Sequence, residues 1–343
     1  MRNSIFLLLF AISCIASVAF RFEKVPKVIS IEIPKKWPRP VYDFSKNPLT
    51  EIGFELGRKL FYDPILSRDS SISCASCHLQ YTGFTHVDHA VSHGIDGRKG
   101  TRNTLALINL AWQKTFHWDG GVTNLEAQSI NPLQHPAEMD NSLRAVINRL
   151  NASSNYPGLF EKAFGNKEIT TSKLTKALTQ FTVSLISANS KYDKVSRKEK
   201  GIFFTEQEKR GLKLFNANCN MCHTAPLFTN TLFASNGLKM DSLLKDTGRF
   251  AITGFPGDSL NFKIPSLRNI EFTFPYMHDG RFKKLKDVIH FYSQGIDLQS
   301  PYLSPHLKNR KHFTEIEKKD LLAFLYTLTD KEFLYNPRFS FPK

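Results

Sequence analysis

The sequence predicts a mainly α-helical protein of two domains, on three observations. Capping residues followed by apolar residues at three- and four-residue spacing recur along the chain, whereas strand signals are few and short. The 343 residues are enough for two domains of ordinary size, each with a core of its own. The pentapeptide Cys-x-x-Cys-His occurs twice, at Cys74–His78 and Cys219–His223, 145 positions apart, which fits one copy per domain.

In chain order, Met1-Arg2-Asn3-Ser4 precede a short apolar run, Ile5 to Phe20, with Ser17 and Ala19 as small residues where a signal peptidase could cut. Residues 1–19 therefore read as an export signal, shorter than the ~20 residues of a spanning helix. Export points to the periplasm. Cys14, the only cysteine outside the pentapeptides, is then discarded with the signal or lipidated. Ala11, where lipoprotein signals usually carry leucine, favours the first. Residues 20–48 hold Pro26, Pro34, Pro38, Pro40 and Pro48 and form an extended arm over the surface.

The first domain spans 49–195. Thr50 caps a helix with Ile52, Leu56 and Leu60 on one face, ending near Asp63-Pro64. Gly83 to Arg102 is rich in glycine and histidine and reads as a long loop beside the first pentapeptide. Leu105 to Trp112 and Asn124 to Ile130 are expected as helices, separated by turn residues Phe116 to Gly121. Asn141 to Leu150 and Thr171 to Ala188 follow, the latter with Leu174, Leu178, Phe181 and Leu185 in one stripe. Asn189 to Gly201 is charged and poorly periodic, so the domain boundary falls there.

The second domain, 196–343, opens on the capping box Thr205-Glu206-Gln207-Glu208, leading a helix through Leu212 and Phe215 into the second pentapeptide. Gly57-Arg58-Lys59-Leu60-Phe61 and Gly211-Leu212-Lys213-Leu214-Phe215 echo each other, each upstream of a pentapeptide, which suggests an internal duplication. Leu285, Val288, Ile289 and Tyr292 share one helical face. A further capping box, Thr314-Glu315-Ile316-Glu317, starts a helix carrying Leu322, Leu325 and Leu328.

Cys-x-x-Cys-His is the attachment sequence of a c-type haem: two thiols become thioethers and the histidine an axial iron ligand. A zinc site would need the two pairs far closer together and leaves both histidines unexplained. A thioredoxin-like pair would need a βαβ setting that the sequence lacks. Two haems also suit the 29 phenylalanines, which pack well against flat macrocycles. The formal net charge of +15 is offset in part by two propionates per haem; the basic surface fits either simple solvation or an acidic redox partner, and no nucleic-acid motif is present. Each haem is an electron relay or a reaction centre according to its sixth ligand. Met139, Met240, Met277, the other histidines and the tyrosines are the candidates, and Tyr292 reads by periodicity as a core tyrosine at least as well as a ligand.

Several stretches resemble the bacterial di-haem cytochrome c peroxidase and MauG family, over Leu49 to Asp330: Gly57 to Pro64 with Ser73 to His78, Gly97 to Asn103, Trp118-Asp119-Gly120, Asn131-Pro132 with Glu138-Met139, Lys263 to Asn269, and Pro275 to Gly280. The resemblance implies a mainly α fold of two cytochrome c-like haem domains packed against each other. It implies that peroxide reacts at the haem on His78 while the haem on His223 stores or relays an electron. Glu138 matches the distal acid–base of the peroxide pocket, Gln128 a polar neighbour, and Trp118 the tryptophan between the haems. By themselves Glu138 also reads as an acid at a helix N-terminus and Trp118 as core packing. A calcium ion between the domains is implied, with Asn103, Thr273 and Pro275, the last through its carbonyl, matching its ligands.

Two positions depart from the peroxidase pattern. A loop histidine that caps the peroxidatic haem in many relatives falls at Ile95, which cannot bind iron, although His93, His86 or His89 could close the site. The methionine ligand of the second haem falls at Tyr292, as in MauG, with Met277 as the fallback. The resemblance thus implies a periplasmic enzyme reducing hydrogen peroxide to water with electrons from a small cytochrome c or cupredoxin. The alternatives are a MauG-like oxidase acting on a protein or organic substrate through high-valent haems, and a di-haem electron carrier without enzymatic activity. A homodimer is an option the sequence leaves open.

Overall fold

A computed structural model describes residues 26–342; the stretch read as an export signal and Cys14 lie outside the described residues. The helices in chain order are α1 (Glu51–Tyr62), α2 (Cys74–Cys77), α3 (Leu125–Gln128), α4 (Ile130–Gln134), α5 (Leu143–Ala152), α6 (Tyr156–Phe164), α7 (Thr171–Val183), α8 (Lys191–Ser196), α9 (Glu206–Asn218), α10 (Phe250–Thr253), α11 (Leu285–His290), α12 (Glu315–Tyr326) and α13 (Lys331–Leu334). Strands β1 (Phe233–Ala234) and β2 (Phe262–Lys263) form a small antiparallel sheet, with Phe233 opposite Lys263. Among the described residues no helix is long and apolar enough to cross a membrane.

The capping signals act as the sequence predicts. Thr50 accepts from the Gly53 amide at the start of α1, and Thr205 with Glu208 and Thr314 with Glu317 close full capping boxes on α9 and α12. Helix α1 packs on α7, and α9 on α12, by the same device. A Cβ added at Gly57 would lie 2.0 Å from the Ala177 carbonyl oxygen, and one at Gly211 2.0 Å from that of Asp320. Glycine is therefore what lets each pair approach backbone to backbone. Around each crossing sits the same aromatic trio. Phe61, Phe84 and Phe181 have centroids 5.0 to 6.2 Å apart, and Phe215, Phe228 and Phe324 lie 4.9 to 6.4 Å apart. The glycine echo in the sequence thus marks a repeated structural unit.

The halves are tied together by more than one route. Arg268, 1% exposed, makes a bidentate ion pair with Asp193 of α8 and lies 4.6 Å over the Trp37 ring of the arm. Trp37 in turn meets Trp112 edge-on at 5.0 Å. After α12 the chain returns, and Phe333, Leu334 and Phe339 join the hydrophobic cluster built around α1 and α7.

Three helix expectations are corrected. Of Leu105 to Trp112, only Leu110–Trp112 form a 3₁₀ turn. Asn109 is left-handed at φ 56° and exchanges two side-chain hydrogen bonds with the Ser187 backbone, so this stretch bonds to another strand of chain and not to itself. The helix from Thr171 stops at Val183, five residues early, because Leu185 and Ser187 are the partners of that loop. Asn124 to Ile130 is broken between α3 and α4. The charged stretch Asn189 to Gly201 also contains α8, whose capping box is Ser190 with Asp193.

Gly57→Ala and Gly211→Ala each force apart a helix crossing, and overpacking of this kind costs about 1–3 kcal/mol. Gly158→Ala in α6, where an added Cβ meets nothing within 4 Å, is the control and is neutral or stabilising. Denaturant midpoints of the three variants measure the difference.

Candidate active site

Helix α2 is one turn long and places Cys74 and Cys77 on successive corners, with the Ser73 amide donating to the Ser76 hydroxyl at 3.0 Å. His78 follows, and its imidazole Nδ1 donates to the Phe84 carbonyl at 2.7 Å. That carbonyl faces the ring because Phe84 sits at φ 60° in a loop closed by the bond from the Leu79 amide to the Thr85 carbonyl. The second site repeats the plan at the end of α9: His223 Nδ1 faces the carbonyls of Pro265 at 3.1 Å and Phe228 at 3.3 Å, and Phe228 also has positive φ, 54°. Since a carbonyl only accepts, Nδ1 carries the proton in both rings and Nε2 keeps its lone pair for a metal. Burial lowers both imidazoles to about 4, so they are neutral ligands at physiological pH.

Among the described residues Cys74, Cys77, Cys219 and Cys222 are in no disulfide. Burial pushes Cys74 and Cys219 up to about 12 and Cys77 to about 11, and raises Cys222. These are protonated thiols, unlike the low-pKa thiolate of a thioredoxin-like pair. Among the described residues no group of three His, Cys, Asp or Glu side chains converges as a metal site. A haem held by two thioethers and one Nε2 fits each site.

Beside the first pentapeptide lies the segment carrying Glu138. Its carboxyl is raised by burial, partly opposed by His135, whose Nδ1 is 3.8 Å away. Its charge in turn raises the Cys77 and Cys74 thiols, second in effect to burial for Cys77, so the carboxyl lies within electrostatic reach of both cysteines. Ile95 is fully buried and donates its amide to the Glu138 carbonyl at 2.8 Å. A Cβ at Gly94 would sit 2.2 Å from the Ala137 carbonyl oxygen, so the loop lies directly on this segment. Arg68 and Arg98 clamp it there through Asp96 and Asp140. The His86 ring stacks on His89 at 5.6 Å, His89 meets His93 tilted by 40° at 4.3 Å, and the His93 carbonyl accepts from the Cys77 thiol at 3.5 Å. Gln128 closes α3, half-buried, upstream of the same segment.

At the second site Tyr292 and Met277 come together. The Asn236 amide donates to the Tyr292 hydroxyl and to the Met277 sulfur, each at 3.4 Å. Tyr292 lies in a π-helical turn, Phe291–Gly295, that widens the end of α11, and burial raises its hydroxyl to about 12, with the Cys222 and Cys219 thiols contributing. Both candidate ligands therefore sit beside the second haem cysteines. Asn236, which joins them, carried no motif in the sequence.

Trp118 is buried where the halves meet. Its indole Nε1 donates to the Asn103 carbonyl at 2.8 Å, and its own carbonyl accepts from the Lys263 amide at 2.7 Å. Asn103 is buried, donates its amide to the His278 carbonyl at 2.6 Å and its Nδ2 to the Ala90 carbonyl at 3.0 Å, leaving Oδ1 as its acceptor atom. Thr273 packs near Gly83, and Pro275 is buried after a cis peptide bond. Neutral oxygens of this kind suit calcium in chemistry.

Paired thiols followed by a neutral, carbonyl-anchored histidine define a protein of the c-type haem class. Residues 51–201 match the family described as di-haem cytochrome c peroxidase. The methylamine utilization protein MauG of Methylorubrum extorquens is 38% identical over 299 residues, covering 86% of this chain and 82% of that protein. The cytochrome c551 peroxidase of Nitrosomonas europaea is 30% identical, covering 84% and 82%. A crystal structure of a MauG-like protein associated with microbial copper homeostasis superposes with a TM-score of 0.84 at 34% identity, over 92% of this chain and 99% of that one. The chain belongs to the di-haem cytochrome c peroxidase and MauG family.

The purified protein is expected to give two haems per chain by pyridine haemochrome assay. The double variant Cys74→Ala/Cys77→Ala is expected to give one.

Proposed function

We propose that the chain reduces hydrogen peroxide to water in the periplasm, at a haem held by Cys74, Cys77 and His78, with electrons from a small cytochrome c or cupredoxin entering through the haem of Cys219, Cys222 and His223. The observation that carries this reading is the Glu138 carboxyl, whose pKa is raised by burial and whose charge acts on the Cys77 thiol, on a segment whose backbone carbonyl holds the amide of Ile95. Haem iron supplies the site that binds peroxide and exchanges electrons with it. Glu138 takes the proton from the inner peroxide oxygen and delivers it to the outer one, which then leaves as water. Two protons and two electrons convert one peroxide into two waters. Gln128 orients the bound peroxide, and Trp118 lies on the electron path between the sites.

The same reading takes the chain as two cytochrome c-like domains, 49–195 and 196–343, with calcium at Asn103, Thr273 and Pro275 fixing their geometry. Tyr292 favours a second reading. A phenolate oxygen holds ferric iron better than a thioether does, so the second haem would have a lowered potential and share oxidising equivalents with the first, as a MauG-like oxidase of a protein or organic substrate requires. Rapid peroxide-dependent oxidation of a reduced cytochrome c or cupredoxin supports the peroxidase; failure with both donors supports the oxidase. Absence of a high-spin ferric signal together with no reaction with peroxide would leave a closed electron carrier, with His93, His86 or His89 as the sixth ligand.

Glu138→Gln is expected to slow the reaction with peroxide by about 10²- to 10⁴-fold without loss of haem. Because the working base is the carboxylate and burial raises its pKa, the wild-type rate falls as pH drops through a value above the ordinary 4.5 of glutamate, and the variant loses that acid limb. Stopped-flow rates against pH check both. Tyr292→Phe is expected to abolish the low-spin signals of the second haem; unchanged EPR and optical spectra would eliminate tyrosine ligation.

A further inference from the structure

Two donors at the seam between the halves lack acidic partners. Lys263, in β2, is only 7% exposed. Its ammonium donates to the Thr115 carbonyl and lies 5.8 Å from the centroid of the Phe116 ring, while burial lowers its pKa to about 8, with no carboxylate acting on it. At neutral pH it is a buried cation. The carboxylates nearest this turn are taken, since Arg102 holds both Asp119 and Asp246. His117, two residues after Thr115, has a buried Nε2 with no hydrogen-bond partner. Burial lowers its pKa, opposed by the charge of Asp119 and joined by those of Arg102 and Lys263, and after burial His117 is among the groups that lower His78.

A charged amine and an imidazole nitrogen, both buried at one turn, with the imidazole acting on the ring that binds the first iron, call for an anion with carboxylate chemistry. Haem attached at Cys74 and Cys77 brings two such groups. We propose that Lys263 and His117 receive a propionate of the first haem, so that a lysine from the second half of the chain anchors the cofactor of the first. The bond from the Lys263 amide to the Trp118 carbonyl fixes the lysine backbone on this turn, and the Thr115 carbonyl and Phe116 ring steer its side chain. The sequence pattern that marks Lys263 to Asn269 is thereby explained at its first position by a contact across the seam.

This inference rests on haem attachment at Cys74 and Cys77 and is independent of peroxidase turnover; haem content by pyridine haemochrome checks the former separately. The test uses the full di-haem protein, with the midpoint potential of each haem followed by spectroelectrochemistry and the propionate bending bands by resonance Raman. Removing a cation beside a propionate favours ferric iron, so Lys263→Met is expected to lower the ferrous-to-ferric ratio of the first haem about tenfold at fixed potential, a shift of about 59 mV for one electron. Lys263→Arg recovers most of the shift. His117→Gln, which leaves the lysine in place, moves the propionate band of the first haem and provides the readout should Lys263→Met fail to fold. Unchanged potentials in Lys263→Met, a shift confined to the second haem, or an unmoved propionate band in His117→Gln overturns the assignment.

Discussion

One hydrogen bond, made twice, organises this molecule: the Nδ1–H of an axial histidine donated to the carbonyl of a phenylalanine whose backbone is left-handed. A bulky residue at positive φ costs on the order of 1–3 kcal/mol and persists only where its surroundings over-determine it. At Phe84 and Phe228 the surroundings are the aromatic trios, in which each strained residue packs against one phenylalanine from each helix of a crossed pair. The crossings are close because Gly57 and Gly211 face carbonyl oxygens. A glycine in the first helix thus governs the tautomer of a histidine two elements later.

The same plan in each half yields different sites because side chains at matching positions differ. Each half contains a tight turn closed by an isolated bridge, Phe116 with Val122 and Tyr276 with Phe282, and the residue after the first bridge position has positive φ in both, His117 at 64° and Met277 at 75°. In one half that place holds an unpartnered imidazole; in the other it holds a thioether beside Tyr292. The halves also exchange matching backbone bonds, Asn103 to the His278 carbonyl and Lys263 to the Trp118 carbonyl. Duplication supplies the scaffold, and divergence at a few side chains supplies the chemistry.

Legibility in the sequence followed the range of the interactions. The pentapeptides, the caps at Thr50, Thr205 and Thr314 and the paired glycines act over a few residues, or repeat, and each was readable. Asn109 was not, because its partner Ser187 lies 78 residues on and converts an apolar, helix-like run into a loop. Glu138 and Tyr292 were singled out only through resemblance to a family, since neither spacing nor composition separates an acid–base or a ligand from an ordinary acid or core tyrosine. The Phe84 and Phe228 carbonyls were out of reach altogether: every residue has a carbonyl, and only the fold decides which one meets a histidine. Lys263 was visible as part of a motif but not as a buried cation, because burial is a property of the seam.

The surroundings of Trp118 constrain what it does on the proposed electron path. Its indole is held at Nε1 by the Asn103 carbonyl, and its backbone is tied to Lys263, so the ring is fixed in place. Lys263 is bonded to it through the backbone and Arg102 is paired with the next residue, Asp119, and an indole radical cation in a medium of low dielectric is disfavoured by like charge. Arg102 is neutralised by Asp119 and Asp246, whereas Lys263 has no protein carboxylate. A hole would therefore rest on Trp118 only briefly unless an added anion offsets the lysine. The propionate proposed for Lys263 would supply that offset, so the rigidly held ring is then suited to pass an electron between the two sites.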